Sequence, residues 1–226
     1  MNLKETAIGI ELGSTRIKAV MIGKNHEVLA QGDYVWENSF IDGIWTYSLE
    51  DVRTGLQYCF AELKMNVKEK YDTVLTTTGA IGISAMMHGY LPFDKDDWQL
   101  CEFRTWRNTI TEEAAEKLSE LFDFNIPQRW SIAHLYQAIL NKEEHVSDIA
   151  YITTLAGYVH FVLTGERVMG IGEASGMFPI DSEKLCYDEQ MVKKFNECTG
   201  LDLLTMLPQI KLAGEQAGVL TEEGAL

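Results

Sequence analysis

The sequence has little positive charge. Lysine and arginine together number 19 against 34 aspartates and glutamates, which gives the 226-residue chain a formal net charge of -15 at pH 7. A surface this acidic repels phosphodiester backbones and anionic lipid headgroups, so it argues against a nucleic-acid-binding or membrane-binding protein. It does not exclude a bound nucleotide, because a few backbone amides and a metal ion are enough to bind phosphate groups locally.

Cysteine and long apolar runs are scarce as well. The four cysteines are scattered, without a C-x-x-C pair or histidines at metal-ligand spacing, so we predict reduced thiols and no disulfide framework or zinc site. No apolar segment approaches the length of a membrane span, and the N-terminus lacks the apolar core of a signal peptide. These absences predict a soluble, cytoplasmic protein. Its 46% hydrophobic residues are sufficient for one large or two modest domains.

The first third of the sequence alternates between apolar runs and short polar connections. Strands are predicted at residues 7–10, 17–22 and 28–34, and the short connections favour an antiparallel meander. A turn is expected near Asp42 and Gly43. Ser48 has the position of an N-cap for a helix that reaches about residue 70, and residues 74–84 predict a fourth strand. We therefore expect a mixed α/β sheet layered by helices.

The remaining sequence has mainly helical patterns. Helices are predicted at Thr111–Phe122, Ser131–Leu140, Ala150–Leu163 and Asp188–Cys198. Thr111 has the position of an N-cap, and Gly165 and Gly200 have the positions of C-terminal glycine caps. The last thirteen residues, 214–226, are mostly small and polar and predict neither a capping helix nor a docking strand.

Glu11 places a carboxylate at the end of an apolar strand, directly before Gly13, Ser14 and Thr15. Glycine lets backbone N–H groups approach an anion, and the two hydroxyl groups add donors. A carboxylate beside a phosphate requires a cation between them, so we predict hydrated Mg²⁺ at Glu11 and phosphate groups at the turn. Lys18 adds positive charge only if it faces the same side, and its place in the second strand leaves both orientations open. A solvated glutamate in an ordinary hairpin is the alternative interpretation.

Four ordered segments resemble the FGGY carbohydrate kinases, a branch of the sugar-kinase, actin and heat-shock-chaperone superfamily. They are I-G-I-E-L-G-S-T at residues 8–15, I-G-I-S-A-M-M-H-G at 81–89, F-R-T-W-R-N-T at 103–109, and L-T-G-E followed by A-S-G-M and Asp181 within 163–181. The first is similar to the phosphate motif of the superfamily, and the second resembles a segment of the xylulose kinases. Four matches in the same order are far more specific than any one of them.

The resemblance implies an α/β fold of the ribonuclease-H-like (actin-like ATPase) type, with residues 1–226 forming the N-terminal, sugar-binding domain. It also implies a kinase that uses ATP and Mg²⁺ and binds a small-molecule sugar. The first choice is xylulose, with ribulose, gluconate or a polyol open. In the family the catalytic aspartate and most of the adenine pocket come from a second domain. No catalytic base is therefore expected in this chain, which is expected to be an inactive fragment of a longer kinase. A homodimer is left open.

The resemblance also assigns site residues. Phosphate-binding residues are Gly13, Ser14, Thr15 and Lys18, and the metal-binding residue is Glu11. Sugar-binding residues are Met87, His88, Gly89, Asn108 and Arg129. Asn108 is expected to point inward together with Trp106, because alternate residues of a strand share a side. His88 and Arg129 have structural alternatives, the first as a loop histidine bonded to a carbonyl and the second as a surface arginine beside a packed tryptophan.

The sequence departs from the family pattern at three places. Glu11 stands where the family usually has aspartate, so its carboxylate reaches one methylene further. Met86 stands where xylulose kinases have glutamine, and residues 106–108 read Trp-Arg-Asn. These departures leave the sugar open. They also keep a second class of function under consideration, a non-catalytic sugar-binding or regulatory protein that retains the kinase fold.

Overall fold

The structure is a computed structural model that describes residues 1–225. Its contacts divide the chain into two compact units. Unit 1 comprises Met1–Ser39 and Tyr47–Met86, and unit 2 comprises Phe40–Thr46 and the chain from Met87 onward. Within the described residues, no helix combines the length and the apolar character needed to cross a membrane.

Twelve short strands and seven helices are distributed along the described chain. The strands are β1 (Ala7–Leu12), β2 (Arg16–Ile22), β3 (Val28–Val35), β4 (Ser39–Ile41), β5 (Ile44–Thr46), β6 (Ala80–Ala85), β7 (Leu91–Phe93), β8 (Tyr151–Thr153), β9 (Val168–Gly170), β10 (Ile180–Asp181), β11 (Cys186–Tyr187) and β12 (Gln209–Lys211). The helices are α1 (Leu49–Tyr71), α2 (Glu112–Phe122), α3 (Ser131–Leu140), α4 (Leu155–Thr164), α5 (Ile171–Ala174), α6 (Glu189–Thr199) and α7 (Leu203–Met206). Three 3₁₀ turns, Leu3–Glu5, Glu144–Asp148 and Glu223–Ala225, complete the assignment.

A four-stranded sheet of order β3-β2-β1-β6 forms the centre of unit 1. β1 pairs antiparallel with β2 and parallel with β6, while β2 pairs antiparallel with β3. The predicted antiparallel meander and the mixed sheet are therefore confirmed. The parallel pair requires a long crossover between its strands, which α1 supplies.

Helix α1 packs against one face of this sheet. Its N-cap is Ser48, as predicted, and the Ser48 hydroxyl accepts a hydrogen bond of 3.0 Å from the backbone N–H of Asp51. Its buried positions include Cys59 and Leu63. Gly32 of β3 allows this close approach, since a Cβ at Gly32 would lie 2.1 Å from the carbonyl oxygen of Cys59 and 2.7 Å from the backbone nitrogen of Leu63. A side chain at position 32 would therefore collide with the helix backbone.

Side chains of α1 also cover the outer edge of β3. The carboxylate of Glu62 accepts from the backbone N–H of Asp33 at 2.6 Å, and the side-chain amide of Asn66 donates to the carbonyl of Gln31 at 2.7 Å. The carbonyl of Leu29 accepts from the ammonium group of Lys70 at 3.0 Å and from the hydroxyl of Tyr71 at 3.3 Å. Backbone groups that would be free to pair with another chain are satisfied within the fold.

The predicted fourth strand is shorter than residues 74–84. β6 begins only at Ala80, which is the register partner of Ala7, the first residue of β1. The N–H of Gly79 donates to the carbonyl of Thr6 at 2.9 Å, and the hydroxyl of Thr78 bonds to the same carbonyl at 3.1 Å. The threonine run therefore anchors the start of the strand and is not part of it.

Unit 2 has a core formed by its helices. Large buried side chains include Tyr90, Leu118, Phe178 and Phe195. The predicted α3 and the left-handed glycine caps at Gly165 and Gly200 are confirmed. The predicted turn at Asp42 and Gly43 is confirmed too, since both residues have positive φ and connect β4 to β5.

One local prediction in unit 2 is wrong. The predicted helix at 150–163 is divided into β8 and α4 by Thr154, whose hydroxyl caps α4 by accepting from the N–H of Gly157. Thr111 occupies the N-cap position of α2, as predicted, and its hydroxyl donates to the carbonyl of Gln128 at 2.5 Å instead of bonding to the helix. The described tail residues, 214–225, contain no strand, and the N–H of Thr221 donates to the carbonyl of Leu163 at the end of α4.

The close contact at Gly32 predicts that a side chain at this position lowers the stability of the fold. Gly32→Ala is expected to lower the free energy of unfolding by about 1–3 kcal/mol, because the added methyl group meets helix backbone that cannot yield like a side chain. Gly9→Ala is the matched control, since a Cβ at Gly9, in the same sheet, would have no neighbour within 4 Å. Urea unfolding of both variants measures the difference, and equal stability of the two variants would contradict it.

Candidate active site

The turn between β1 and β2 presents hydrogen-bond donors to solvent. The N–H of Gly13 closes the turn by donating to the carbonyl of Arg16 at 2.9 Å. The carbonyl oxygens of Gly13, Ser14 and Thr15 all accept hydrogen bonds from residues behind the turn. The backbone N–H groups and the hydroxyls of Ser14 and Thr15 have no partner among residues 1–225, and both residues are exposed. Four outward donors on two adjacent residues are suited to binding an anion.

Glu11 lies in a row of polar residues across the sheet, on the face opposite α1. It is paired in register with Lys18 of β2 on one side and with Ser84 of β6 on the other, and all three are exposed. Lys18 therefore shares the face of Glu11, which decides the orientation that the sequence left open. The next residue in the row, Asp33, forms an ion pair of 3.1 Å with Arg16. The sheet thus brings the predicted carboxylate and lysine together beside the turn.

Two residues before Glu11 along the strand, the surface of the sheet is bare backbone. Gly9 and Gly82 are register partners on β1 and β6, and a Cβ at either position would have no neighbour within 4 Å. The residues present fit phosphate groups with Mg²⁺, since outward N–H and O–H donors stand next to one exposed carboxylate. Within residues 1–225 no three His, Cys, Asp or Glu side chains are grouped to hold a metal ion. This is in keeping with Mg²⁺, which binds through one or two carboxylates together with phosphate oxygens and water.

Met87, His88 and Gly89 form a strained loop in unit 2. His88 has a φ of 68° and Gly89 a φ of 108°, and a positive φ is uncommon for a residue with a side chain. Ser131, the first residue of α3, holds the loop by donating its hydroxyl to the carbonyl of Gly89 at 2.5 Å. Non-glycine residues with such strain cluster at functional sites, where the surrounding structure maintains them.

The imidazole of His88 contacts Gly176, which belongs to the A-S-G-M segment. His88 Nδ1 lies 3.3 Å from the carbonyl oxygen of Gly176, and a Cβ at Gly176 would lie 2.6 Å from that nitrogen. The same Cβ would lie 3.3 Å from Met87 Cε. Glycine at position 176 is therefore required for this packing. Two of the segments singled out in the sequence meet here.

Arg129 joins the same group through its backbone and its charge. Its carbonyl accepts a hydrogen bond of 3.4 Å from the N–H of Gly89, and its side chain is exposed. Met87 is also exposed, whereas Gly89 is buried. The structure therefore brings together four of the five predicted sugar-binding residues.

The protonation state of His88 follows from its surroundings. Burial lowers its pKa below the ordinary value of 6.5, and the positive charge of Arg129 lowers it further, while the hydrogen bond to the Gly176 carbonyl acts in the opposite direction. The imidazole is therefore neutral at about pH 7. Because a carbonyl oxygen only accepts, Nδ1 must carry the proton. Nε2 is then a hydrogen-bond acceptor.

Asn108, the fifth predicted residue, has a different environment. It is 3% exposed, and its amide accepts from the N–H of Trp45 and donates to the carbonyl of Trp45, each at 2.8 Å. Trp106 is 45% exposed, so the expectation that these residues share a side is wrong. Strand alternation does not apply, because residues 106–107 form a turn. A role of Asn108 in sugar binding remains a prediction, and its hydrogen bonds tie it to the β4–β5 hairpin.

Sequence reasoning missed several residues that shape these two sites. Gly176 lay inside a recognised segment, and its small size was the available signal. Trp36 and Tyr47, which bond to the turn carbonyls, gave no signal because their partners are more than twenty residues away in the sequence.

The comparison with family models decides the family. The model described as the FGGY family of carbohydrate kinases, N-terminal domain, matches residues 6–226. The chain belongs to the FGGY family of carbohydrate kinases. A search of the curated proteins finds no match to the FGGY chain.

Solved structures of sugar kinases have the same fold as this FGGY domain. A "xyloylose kinase" from Brucella ovis is 19% identical with a TM-score of 0.82, over 96% of this chain and 46% of that one. A gluconate kinase from Lactobacillus acidophilus is 19% identical with a TM-score of 0.80, over 97% and 44%. The Plasmodium falciparum glycerol kinase with ADP is 18% identical with a TM-score of 0.78, over 97% and 46%. The FGGY chain spans about half the length of these kinases, and the predicted ribonuclease-H-like (actin-like ATPase) fold is confirmed.

The hydrogen bond of His88 predicts its tautomer. In the FGGY protein, long-range proton–nitrogen NMR correlations of the imidazole are expected to show the proton on Nδ1 and a pKa below 6.5. The His88→Gln variant lacks this imidazole, so the correlations that disappear from its spectrum are those of His88. A proton on Nε2, or a pKa above 6.5, would show that the ring does not bond to Gly176 in this way.

Proposed function

We propose that this chain is the sugar-binding N-terminal domain of an ATP- and Mg²⁺-dependent kinase that phosphorylates a hydroxyl group of a ketopentose such as xylulose. The observation that carries the proposal is the Gly13–Thr15 turn, whose four free donors stand beside the exposed carboxylate of Glu11. Phosphoryl transfer requires positioning of the phosphates and neutralisation of their charge, and ATP supplies the transferred group. In this chain the turn residues would bind phosphate oxygens, Glu11 would hold Mg²⁺, and Lys18 would add positive charge on the same face.

The chemistry of the second site supports a polyhydroxylated acceptor. His88 Nε2 is a neutral acceptor, and the exposed guanidinium of Arg129 is a donor in the same group of residues. One acceptor and one multiple donor complement adjacent hydroxyl groups of a sugar. A ketopentose is preferred because Met87-His88-Gly89 resembles the xylulose kinases, and ribulose, gluconate and a polyol are the alternatives.

The proposed reaction needs groups from outside this chain. By resemblance to the family, the catalytic aspartate and most of the adenine pocket belong to a second domain, and this chain spans about half the length of the kinases compared above. Residues 1–226 alone are therefore proposed to have no kinase turnover. The setting proposed is the cytoplasm, in keeping with four cysteines that form no disulfide.

A second candidate function is a non-catalytic sugar-binding or regulatory protein. The observation that favours it is Glu11 itself, since the family usually has aspartate there and the longer side chain shifts the carboxylate by one methylene. Both candidates bind sugar, and only the kinase requires the carboxylate for turnover. Turnover of the unaltered full-length protein that carries this domain therefore separates them, and variants of Glu11 and His88 test the role of each residue.

Glu11→Gln is expected to lower ATP-dependent turnover by about a hundredfold or more, because the near-isosteric amide does not hold a cation against the phosphates. Its sugar affinity is expected to stay unchanged, and Glu11→Asp, which keeps the charge, is expected to retain turnover.

His88→Ala is the converse variant. Its sugar dissociation constant is expected to rise about two- to tenfold through loss of one hydrogen bond, with MgATP affinity unchanged.

Coupled-enzyme kinetics measure turnover, and calorimetric titration measures the affinities for sugar and MgATP. Sugar binding without turnover in the unaltered full-length protein would support the non-catalytic candidate. Turnover of Glu11→Gln within a few-fold of the unaltered protein would show that Glu11 is an ordinary solvated residue. An unchanged sugar constant in a folded His88→Ala variant would remove His88 from the sugar site.

A further inference from the structure

Trp36 and Tyr47 form a buried aromatic pair behind the Gly13–Thr15 turn in unit 1. Their ring centroids are 4.3 Å apart, and the two residues are 5% and 2% exposed. The indole N–H of Trp36 donates to the carbonyl of Gly13 at 2.7 Å, and its backbone N–H donates to the carbonyl of Thr15 at 3.2 Å. The hydroxyl of Tyr47 donates to the carbonyl of Ser14 at 2.7 Å. Two residues thus bind three consecutive carbonyl groups.

These hydrogen bonds fix the direction of the N–H groups in the turn. In a trans peptide the carbonyl of one residue and the N–H of the next point in opposite directions within one plane, and the described residues contain no cis peptide. Holding the carbonyl of Gly13 therefore fixes the N–H of Ser14, and holding the carbonyl of Ser14 fixes the N–H of Thr15. Both N–H groups point away from the aromatic pair, on residues that are exposed.

We infer that Trp36 and Tyr47 are positioning residues that direct the backbone amides of Ser14 and Thr15 at the phosphate groups of a nucleoside triphosphate. Their donors are directed at the turn carbonyls, so they act through the turn and not on the phosphates. Donors that are already oriented bind an anion without the cost of reordering the backbone. The inference rests on one element of the proposed function, namely that the turn binds phosphate.

The positions of both residues are set by the secondary structure around them. Trp36 directly follows β3, and Tyr47 lies between β5 and Ser48, the N-cap of α1. The sheet and the helix start therefore hold the two side chains independently of any ligand. Displacing either donor should release one carbonyl while the hairpin itself remains.

Tyr47→Phe in the full-length protein tests the inference, because it removes only the hydroxyl that binds the Ser14 carbonyl. Its MgATP affinity is expected to fall about two- to tenfold, while its affinities for adenosine and for sugar stay unchanged. Tyr71→Phe is the matched control, since the Tyr71 hydroxyl also donates to a backbone carbonyl of unit 1, that of Leu29, away from the turn. Its MgATP affinity is expected to stay unchanged.

Trp36→Phe provides a second variant that releases the Gly13 carbonyl while the backbone bond to Thr15 remains. It is expected to reproduce the loss of MgATP affinity without a loss of adenosine affinity. Calorimetric titration gives the affinities, and thermal unfolding of all variants tests for a purely structural role, which would lower stability without separating MgATP from adenosine.

The outcomes distinguish this inference from the proposed function. If the unaltered protein binds MgATP more tightly than adenosine and the variants weaken that preference, the inference holds even if no sugar is phosphorylated. If the unaltered protein phosphorylates a sugar and both variants keep the full preference for MgATP, the inference is wrong and the proposed function stands. Absence of any preference for MgATP in the unaltered protein would overturn both.

Discussion

Parallel pairing of β1 with β6 is the constraint on which the proposed phosphate site depends. The register sets Glu11 opposite Ser84 and Gly9 opposite Gly82, so both strands end at one edge of the sheet with bare backbone two residues before the carboxylate. Such a pair forms only if the chain crosses over between its strands, and α1 provides that crossover. The helix can lie close to the sheet because Gly32 has no side chain.

The proposed phosphate site would have to bind anions on a chain with a net charge of -15. The long-range field of such a chain repels a nucleotide, so attraction must come from short-range donors and a cation. Lys18 faces Glu11, and the remaining donors at the turn are backbone N–H groups and hydroxyls. Backbone donors act strongly only when they are held in one direction. Burial of Trp36 and Tyr47 behind the turn meets that requirement without adding charge.

Local patterns in the sequence predicted the elements that depend on local interactions. The Ser48 cap, the meander and the glycine caps each follow from residues close together in the chain. β7 and β8 were missed because they pair across about sixty residues, and an apolar run such as 150–163 does not distinguish a strand from a helix by its periodicity. The candidate site shows the same difference between local and long-range features. The donors and the carboxylate could be predicted, whereas the carbonyl partners behind the turn and the hydrogen bonds of Asn108 depend on long-range contacts.

The Gly13–Thr15 turn is proposed to bind the phosphates of a nucleotide. The measurement that tests it most directly is a crystal structure of the full-length protein with Mg²⁺ and a non-hydrolysable ATP analogue. The backbone nitrogens of Ser14 and Thr15 should lie within about 3 Å of phosphate oxygens, with Glu11 bound to Mg²⁺ directly or through water. Phosphates bound elsewhere, with both nitrogens hydrogen-bonded only to water, would contradict the account.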